Sequence, residues 1–182
     1  MVSPHKPGAI ARVPLLTEAA TLLFDSLVTG ADVWEFGAGG STLWLAARAH
    51  YLESVDDNAD WHAAVTEALL DAGYPGVQVH LTATADLPAA IDGRGLWDVV
   101  WVDCFTNRER ARSIRNGAPH VKPGGWLVAD DYDFQQVQKA IEGLRAEGWD
   151  VAIVTGVKLH PNRGVPVTTA TAFCRKPKER NG

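Results

Sequence analysis

Between Val33 and Ala47 the chain reads VWEFGAGGSTLWLAA, and few architectures accommodate such a run. Val33, Trp34 and Phe36 supply the β-branched and aromatic residues of a short buried strand, Gly37-Ala38-Gly39-Gly40 turns sharply, and Ser41-Thr42 opens a helix with Leu43, Leu45 and Ala46. Glycine has no Cβ, so a ligand can lie against bare backbone at such a turn, close to the N–H groups that begin a helix. A strand, a glycine turn and a helix start predict an open α/β sheet, which binds its ligand outside the carboxyl ends of its strands.

The residues around the turn narrow the ligand. A dinucleotide fingerprint has glycine at its first, third and sixth positions; Gly37 and Gly39 match the first two, but Thr42 stands at the sixth, and no Gly-Lys-Ser/Thr of a phosphate loop follows. Glu35 would repel a pyrophosphate and attract a cation. E-F-G-A-G-G-S-T resembles the first motif of class I S-adenosylmethionine-dependent methyltransferases, whose cofactor carries a sulfonium and an ammonium and no phosphate. The resemblance implies that the turn passes the methionine and ribose parts of the cofactor, which gives cofactor-binding roles to Glu35, Gly37, Ala38, Gly39, Ser41 and Thr42.

A length of 182 residues suits one domain, able to bury about 70% of its unfolded surface. No apolar run reaches the roughly 18 residues of a membrane helix, and the start MVSPHKPGAIARV lacks the apolar core of a signal peptide. The chain is therefore expected in the cytoplasm, away from membranes. Cys104 and Cys174 form no CxxC pair, which argues against disulfide and zinc. A net charge of −5 offers nucleic acid no general attraction, so none is expected as partner. The seven Trp are dispersed and read as core or pocket wall.

Along the chain, Pro4, Pro7 and Gly8 make 1–13 an arm, and Pro14 opens a helix that runs to Gly30. Tyr51 to Val55 is a second strand with Asp56-Asp57 at its carboxyl end, where a carboxylate can accept hydrogen bonds from ribose hydroxyls. The resemblance favours Asp56 for this, with Asp57 as neighbour; Asp57 or Asn58 equally suits the N-cap of the following helix. Trp61, on that helix's first turn, stands where the family packs an apolar wall on the adenine. Val77 to Leu81 alternate as a third strand. By resemblance to small-molecule O-methyltransferases of this fold, the loop with Thr84, Ala85 and Asp86 touches the adenine amino group, and Asp86 has a second possible role as cap of a helix beginning near Leu87.

Trp97 to Val102 is an apolar run suited to a central parallel strand, and Asp103 follows at its carboxyl end. The helix from Asn107 to Asn116 carries Arg108, Arg112 and Arg115 on one face, read as solvated. Trp126 to Ala129 is a fifth strand ending in Asp130-Asp131; KPGG before it resembles another stretch frequent in class I methyltransferases. Asp133-x-x-Gln136 reads as a capping box for a helix to Glu147. Asp150 to Thr155 and Thr168 to Arg175 are antiparallel neighbours joined by loop 156–167, which contains Lys158, His160 and Arg163; the tail 176–182 frays.

These elements predict a doubly wound α/β sheet in a single domain. The resemblance adds seven strands in the order 3-2-1-4-5-7-6, one of them antiparallel, as in the Rossmann-like methyltransferase fold. It also implies methyl transfer from S-adenosylmethionine, with an oxygen of a small polar or phenolic molecule as acceptor. A hydroxyl acceptor must lose its proton to a base or to a metal. Asp103, Asp130 and Asp131 resemble, position by position, the acid, acid, amide trio that binds magnesium in catechol O-methyltransferase-like enzymes, except that Asp131 replaces the amide and Thr106 stands where those enzymes have a lysine. The metal-free alternative keeps Asp103 as acceptor-orienting or general-base carboxylate, also at the cofactor's reactive end, with His160 as a second candidate base. Cys104 has no activating neighbour. Other readings are methylation of a protein or other macromolecule, a non-catalytic S-adenosylmethionine-binding module, and an NAD-binding oxidoreductase. A lid must come from 1–13, the loop after Asp103 and loop 156–167, or from another subunit of a homodimer.

Overall fold

The computed structural model describes residues 10, 12–159 and 165–178. Its strands are β1 (Asp32–Phe36), β2 (Tyr51–Asp56), β3 (Gln78–Leu81), β4 (Trp97–Val102), β5 (Val121–Ala129), β6 (Asp150–Leu159) and β7 (Pro166–Arg175). They form one sheet in the order β3-β2-β1-β4-β5-β7-β6, the order implied by the family resemblance and the fold class expected from the element pattern. The first five strands run parallel, and β7 is antiparallel to both β5 and β6. Around the sheet pack α1 (Glu18–Val28), α2 (Gly40–Ala46), α3 (Ala59–Asp71), α4 (Asn107–Gly117) and α5 (Gln135–Ala146), with a 3₁₀ turn at Leu87–Ile91.

The apolar run of β4 serves both faces because side chains alternate along a strand. Val99 and Trp101 join Phe24 and Val28 of α1 on one face, while Val100 and Val102 join Ile114 of α4 and Ile141 of α5 on the other, together with Trp97, which the register shift before Val99 takes out of the alternation. Phe24 is wholly buried, its ring 4.8 Å from that of Trp101 and 5.6 Å from that of Trp44. Burial of one such side chain contributes about 1.5–3 kcal/mol. No helix among the described residues is long and apolar enough to cross a membrane.

Several boundaries differ from the sequence expectation. Helix α1 begins at Glu18, not Pro14, because the Thr17 side chain caps it by accepting from Ala20 N. Strand β5 begins at Val121, which pairs with Trp97 ahead of a register shift, and Gly124 carries the irregular segment at φ 79°. The β6–β7 hairpin stays paired from Asp150↔Arg175 to Leu159↔Pro166, so Lys158 lies in a strand rather than a loop. Asp133 forms no capping box: Phe134 is the N-cap, and Asp133 Oδ2 accepts from Thr169 Oγ1 (3.0 Å) and Ala170 N (2.9 Å). Strand β7 pairs with β5 only up to Ala172, so the Ala170 N–H needs another acceptor, and Asp133 supplies it. His160 and Arg163 lie outside the described residues.

Candidate functional site

Strand order reverses where β1 lies between β2 and β4, and an open sheet leaves a crevice at the carboxyl ends of the strands there. Gly37 ends β1 at φ 98°, and its amide bonds to Val55 O at 2.8 Å. A Cβ at Gly37 would lie 2.7 Å from Asp103 O and Cys104 N, so the turn is packed directly on the backbone that ends β4. Gly39 differs, since a Cβ there would meet only Trp61 Nε1, at 4.0 Å. Open space thus lies over Gly39, bordered by the half-buried Trp61 on the first turn of α3.

Glu35 holds this turn from beneath. It is fully buried, and its carboxylate accepts from Ser41 Oγ (2.5 Å), Thr42 Oγ1 (2.5 Å) and Ser54 Oγ (2.7 Å). Burial pushes its pKa up to about 7, against the three hydroxyl donors. Ala38, Ser41 and Thr42 are buried with it, and Thr42 Oγ1 also accepts from Gly39 N at 2.8 Å. Glu35, Ser41 and Thr42 therefore spend their polar atoms on one another, and Thr42, in place of a third glycine, supplies a hydroxyl that the turn uses.

Asp56 ends β2 almost completely buried, accepting from Asn58 N at 2.8 Å, and burial pushes its pKa up to about 6. Asn58, not Asp57, caps α3 by accepting from Trp61 N. Thr84, Ala85 and Asp86 are exposed at the end of β3, and Asp86 makes no side-chain cap bond to the 3₁₀ turn. Arg112 is not merely solvated: it donates to Ala85 O (3.1 Å) and to Glu109 Oε2 (2.6 Å), bracing α4 against this loop.

Asp103 is three-quarters buried at the end of β4. Its Oδ1 accepts from Arg110 Nη2 at 2.7 Å, while Arg110 Nη1 donates to Asp131 Oδ2 at 2.5 Å. Burial pushes Asp103 up to about 7, with Arg110 opposing and Asp130 and Asp131 adding to the rise. Asp131 sits at φ 56°, a left-handed conformation that Asp tolerates. Asp130 is buried between Lys158 Nζ (2.8 Å) and Thr171 Oγ1 (2.8 Å). Arg110 and Lys158 thus belong to this candidate site through their pairing with the strand-end acids, although the sequence pattern of α4 and β6 did not single them out.

The three strand-end acids do not suit magnesium as they stand. That ion needs hard oxygen ligands in a near-ideal octahedron, and each of these carboxylates already faces a buried or mostly buried cation. Among the described residues no three His, Cys, Asp or Glu are grouped to hold a metal ion. Cys104 is buried beside Ser113, and burial pushes its thiol up to about 12, so it is no nucleophile at neutral pH. A cavity of about 450 Å³ near Arg115, Trp149 and Lys176 lies at the opposite edge of the sheet.

Comparison with known proteins places this edge in context. The profile of a family described as methyltransferase domain matches residues 34–132, which include every strand-end acid described above. An O-methyltransferase from Bacillus cereus, solved with SAH, superposes at a TM-score of 0.70 and 16% identity over 87% of this chain and 82% of its own. The O-methyltransferase TomG from Streptomyces achromogenes, involved in tomaymycin synthesis and solved with SAM, gives 0.63 at 19% over 88% and 82%. Precorrin 8w decarboxylase from Methanobacterium thermoautotrophicum gives 0.67 at 21% over 96% and 95%. At such identities the likeness is one of fold. No curated protein matches the sequence.

Proposed function

Because the chain belongs to the methyltransferase-domain family, we propose that it binds S-adenosylmethionine at the carboxyl edge of β1, β2 and β3 and methylates an oxygen of a small polar or phenolic molecule. The observation that carries this reading is the packing of Gly37 on the Asp103 backbone, which sets the glycine turn beside the carboxylate at the end of β4.

The residues present fit that cofactor. Gly39 leaves room for a ligand on its open side, Trp61 offers a wall, and Asp56 offers a carboxylate for ribose hydroxyls at the end of β2. Thr84, Ala85 and Asp86, exposed just beyond β3 at the same edge of the sheet, are assigned to the adenine side of this reading. When bound, the cofactor supplies an electrophilic methyl on a sulfonium. This chain's task is to hold the acceptor close and in line and to take its proton; positioning alone can lower such a barrier by about 7 kcal/mol or more. Asp103 suits the proton transfer: Arg110 fixes Oδ1, Oδ2 has no protein partner among the described residues, and a pKa near neutrality matches a general base to its working pH.

Calorimetry with S-adenosylhomocysteine and with NAD tests the cofactor, and labelled S-adenosylmethionine with a panel of phenols, sugars and peptides tests the acceptor. Tighter binding of NAD would replace this reading by a dinucleotide one, and label transferred only to peptides would move the acceptor to a macromolecule.

A further inference from the structure

Resting for the reaction concerned on the methyl-transfer reading above, we infer that Arg110 occupies the seat a divalent cation would need between the ends of β4 and β5, so that the acceptor is engaged without metal chelation. Three acids and two bases meet here, which leaves at most one net negative charge, with Asp103 ionised, among Asp103, Asp130, Asp131, Arg110 and Lys158. A dication entering between Asp103 and Asp131 must evict a guanidinium that is 4% exposed and donates to both carboxylates. Asp130 cannot compensate as a third ligand, because Lys158 and Thr171 take both of its oxygens. Arg110 is fixed in place by its position on α4, on the same buried stripe as Ser113, Ile114 and Gly117.

A permanent guanidinium differs from a bound metal in what it asks of the acceptor. A chelated metal selects molecules with two neighbouring oxygens, whereas Arg110 gives its two Nη groups to two carboxylates and keeps its Nε buried without a partner, so it offers the acceptor no coordination position. Recognition then falls to the free oxygen of Asp103, which needs one hydroxyl. Arg110 is on this account a positioning residue, acting through Asp103, and a monophenol serves as acceptor as well as a vicinal diol does.

Titration of the full chain with Mn²⁺, followed by electron paramagnetic resonance, tests the seat without any need for cofactor or turnover. Wild type is expected to leave Mn²⁺ free up to millimolar concentration. Arg110→Gln should bind one Mn²⁺ at least 10-fold more tightly than wild type, and Arg110→Lys, which keeps a charge in place, should not. Stoichiometric Mn²⁺ binding by wild type that Asp131→Asn weakens would overturn the proposal, and this arm stands even if Arg110→Gln fails to fold. Folded Arg110→Gln that binds no Mn²⁺ would also overturn it. S-adenosylhomocysteine calorimetry on the same samples reports separately on the cofactor reading.

Discussion

Thr42 Oγ1 donates to Glu35 Oε2 at 2.5 Å and accepts from Gly39 N at 2.8 Å, so a single hydroxyl ties the buried acid of β1 to the turn above it. The carboxylate so held is under strain from burial, which raises its pKa from 4.5 to about 7.

An acid raised in this way keeps a proton in the folded chain that the unfolded chain has already released. Stability therefore falls as pH rises from about 4.5 to about 7, by up to about 3 kcal/mol from Glu35 alone. Glu35→Gln can keep acceptor and donor contacts with the three hydroxyls while removing the titration. Urea unfolding between pH 4.5 and 8 should show this part of the slope in wild type and not in the variant; identical slopes would refute the assignment.

The two glycines of the turn should separate under substitution. Gly37→Ala forces a Cβ into backbone at 2.7 Å and a side chain into φ 98°, and should destabilise the fold by roughly 2–4 kcal/mol. Gly39→Ala meets nothing nearer than 4.0 Å and should leave the melting temperature nearly unchanged while weakening S-adenosylhomocysteine binding at least 10-fold. Gly39→Ala that binds S-adenosylhomocysteine as tightly as wild type would show that the open side of Gly39 is not a ligand seat.

What the sequence made legible, and what it hid, follows from the range of the interactions. The glycine turn, Asp56 and Asp103 could be placed because each sits at the end of a patterned strand, and local pattern fixes strand ends. Arg110 was hidden among the arginines of α4, because a charged residue on a helix usually faces water. The signal was present in its spacing from Ile114 and Gly117, i+4 and i+7, which puts Arg110 on the apolar stripe. Its partners Asp103 and Asp131 come together only through the β4–β5 pairing. Lys158 was masked because the alternation Val157-Lys158-Leu159 is inverted, the apolar residues being exposed and the lysine turned inward, and the hairpin extends by pairing with β7.

Asp56 accepts from two ribose hydroxyls most strongly as a carboxylate, with both oxygens able to accept, and burial has raised its pKa from 3.8 to about 6. Affinity for S-adenosylhomocysteine should consequently fall as pH drops from 7 to 5. Asp56→Asn should bind more weakly by about 1–3 kcal/mol at pH 7.5 and show little further loss at pH 5. Calorimetry at the two pH values decides the matter, and a wild-type affinity that is flat across that interval would mean that Asp56 does not touch the ligand.

The same logic with the opposite readout applies to Asp103, which acts only as carboxylate if it takes the acceptor's proton. With a phenol as acceptor, kcat should rise with pH through a midpoint near 7, the pKa to which burial has pushed this group. Asp103→Asn should lower kcat by about 10²–10⁴-fold and abolish that rise. Lys158→Met supplies the finer check: the Lys158 charge pulls Asp103 down, so its loss should move the midpoint to higher pH, and Asp130, left with Thr171 alone, should push in the same direction. A midpoint that stays put in Lys158→Met while Asp103→Asn remains active would remove Asp103 from the chemistry and leave it as a partner that holds Arg110 in place.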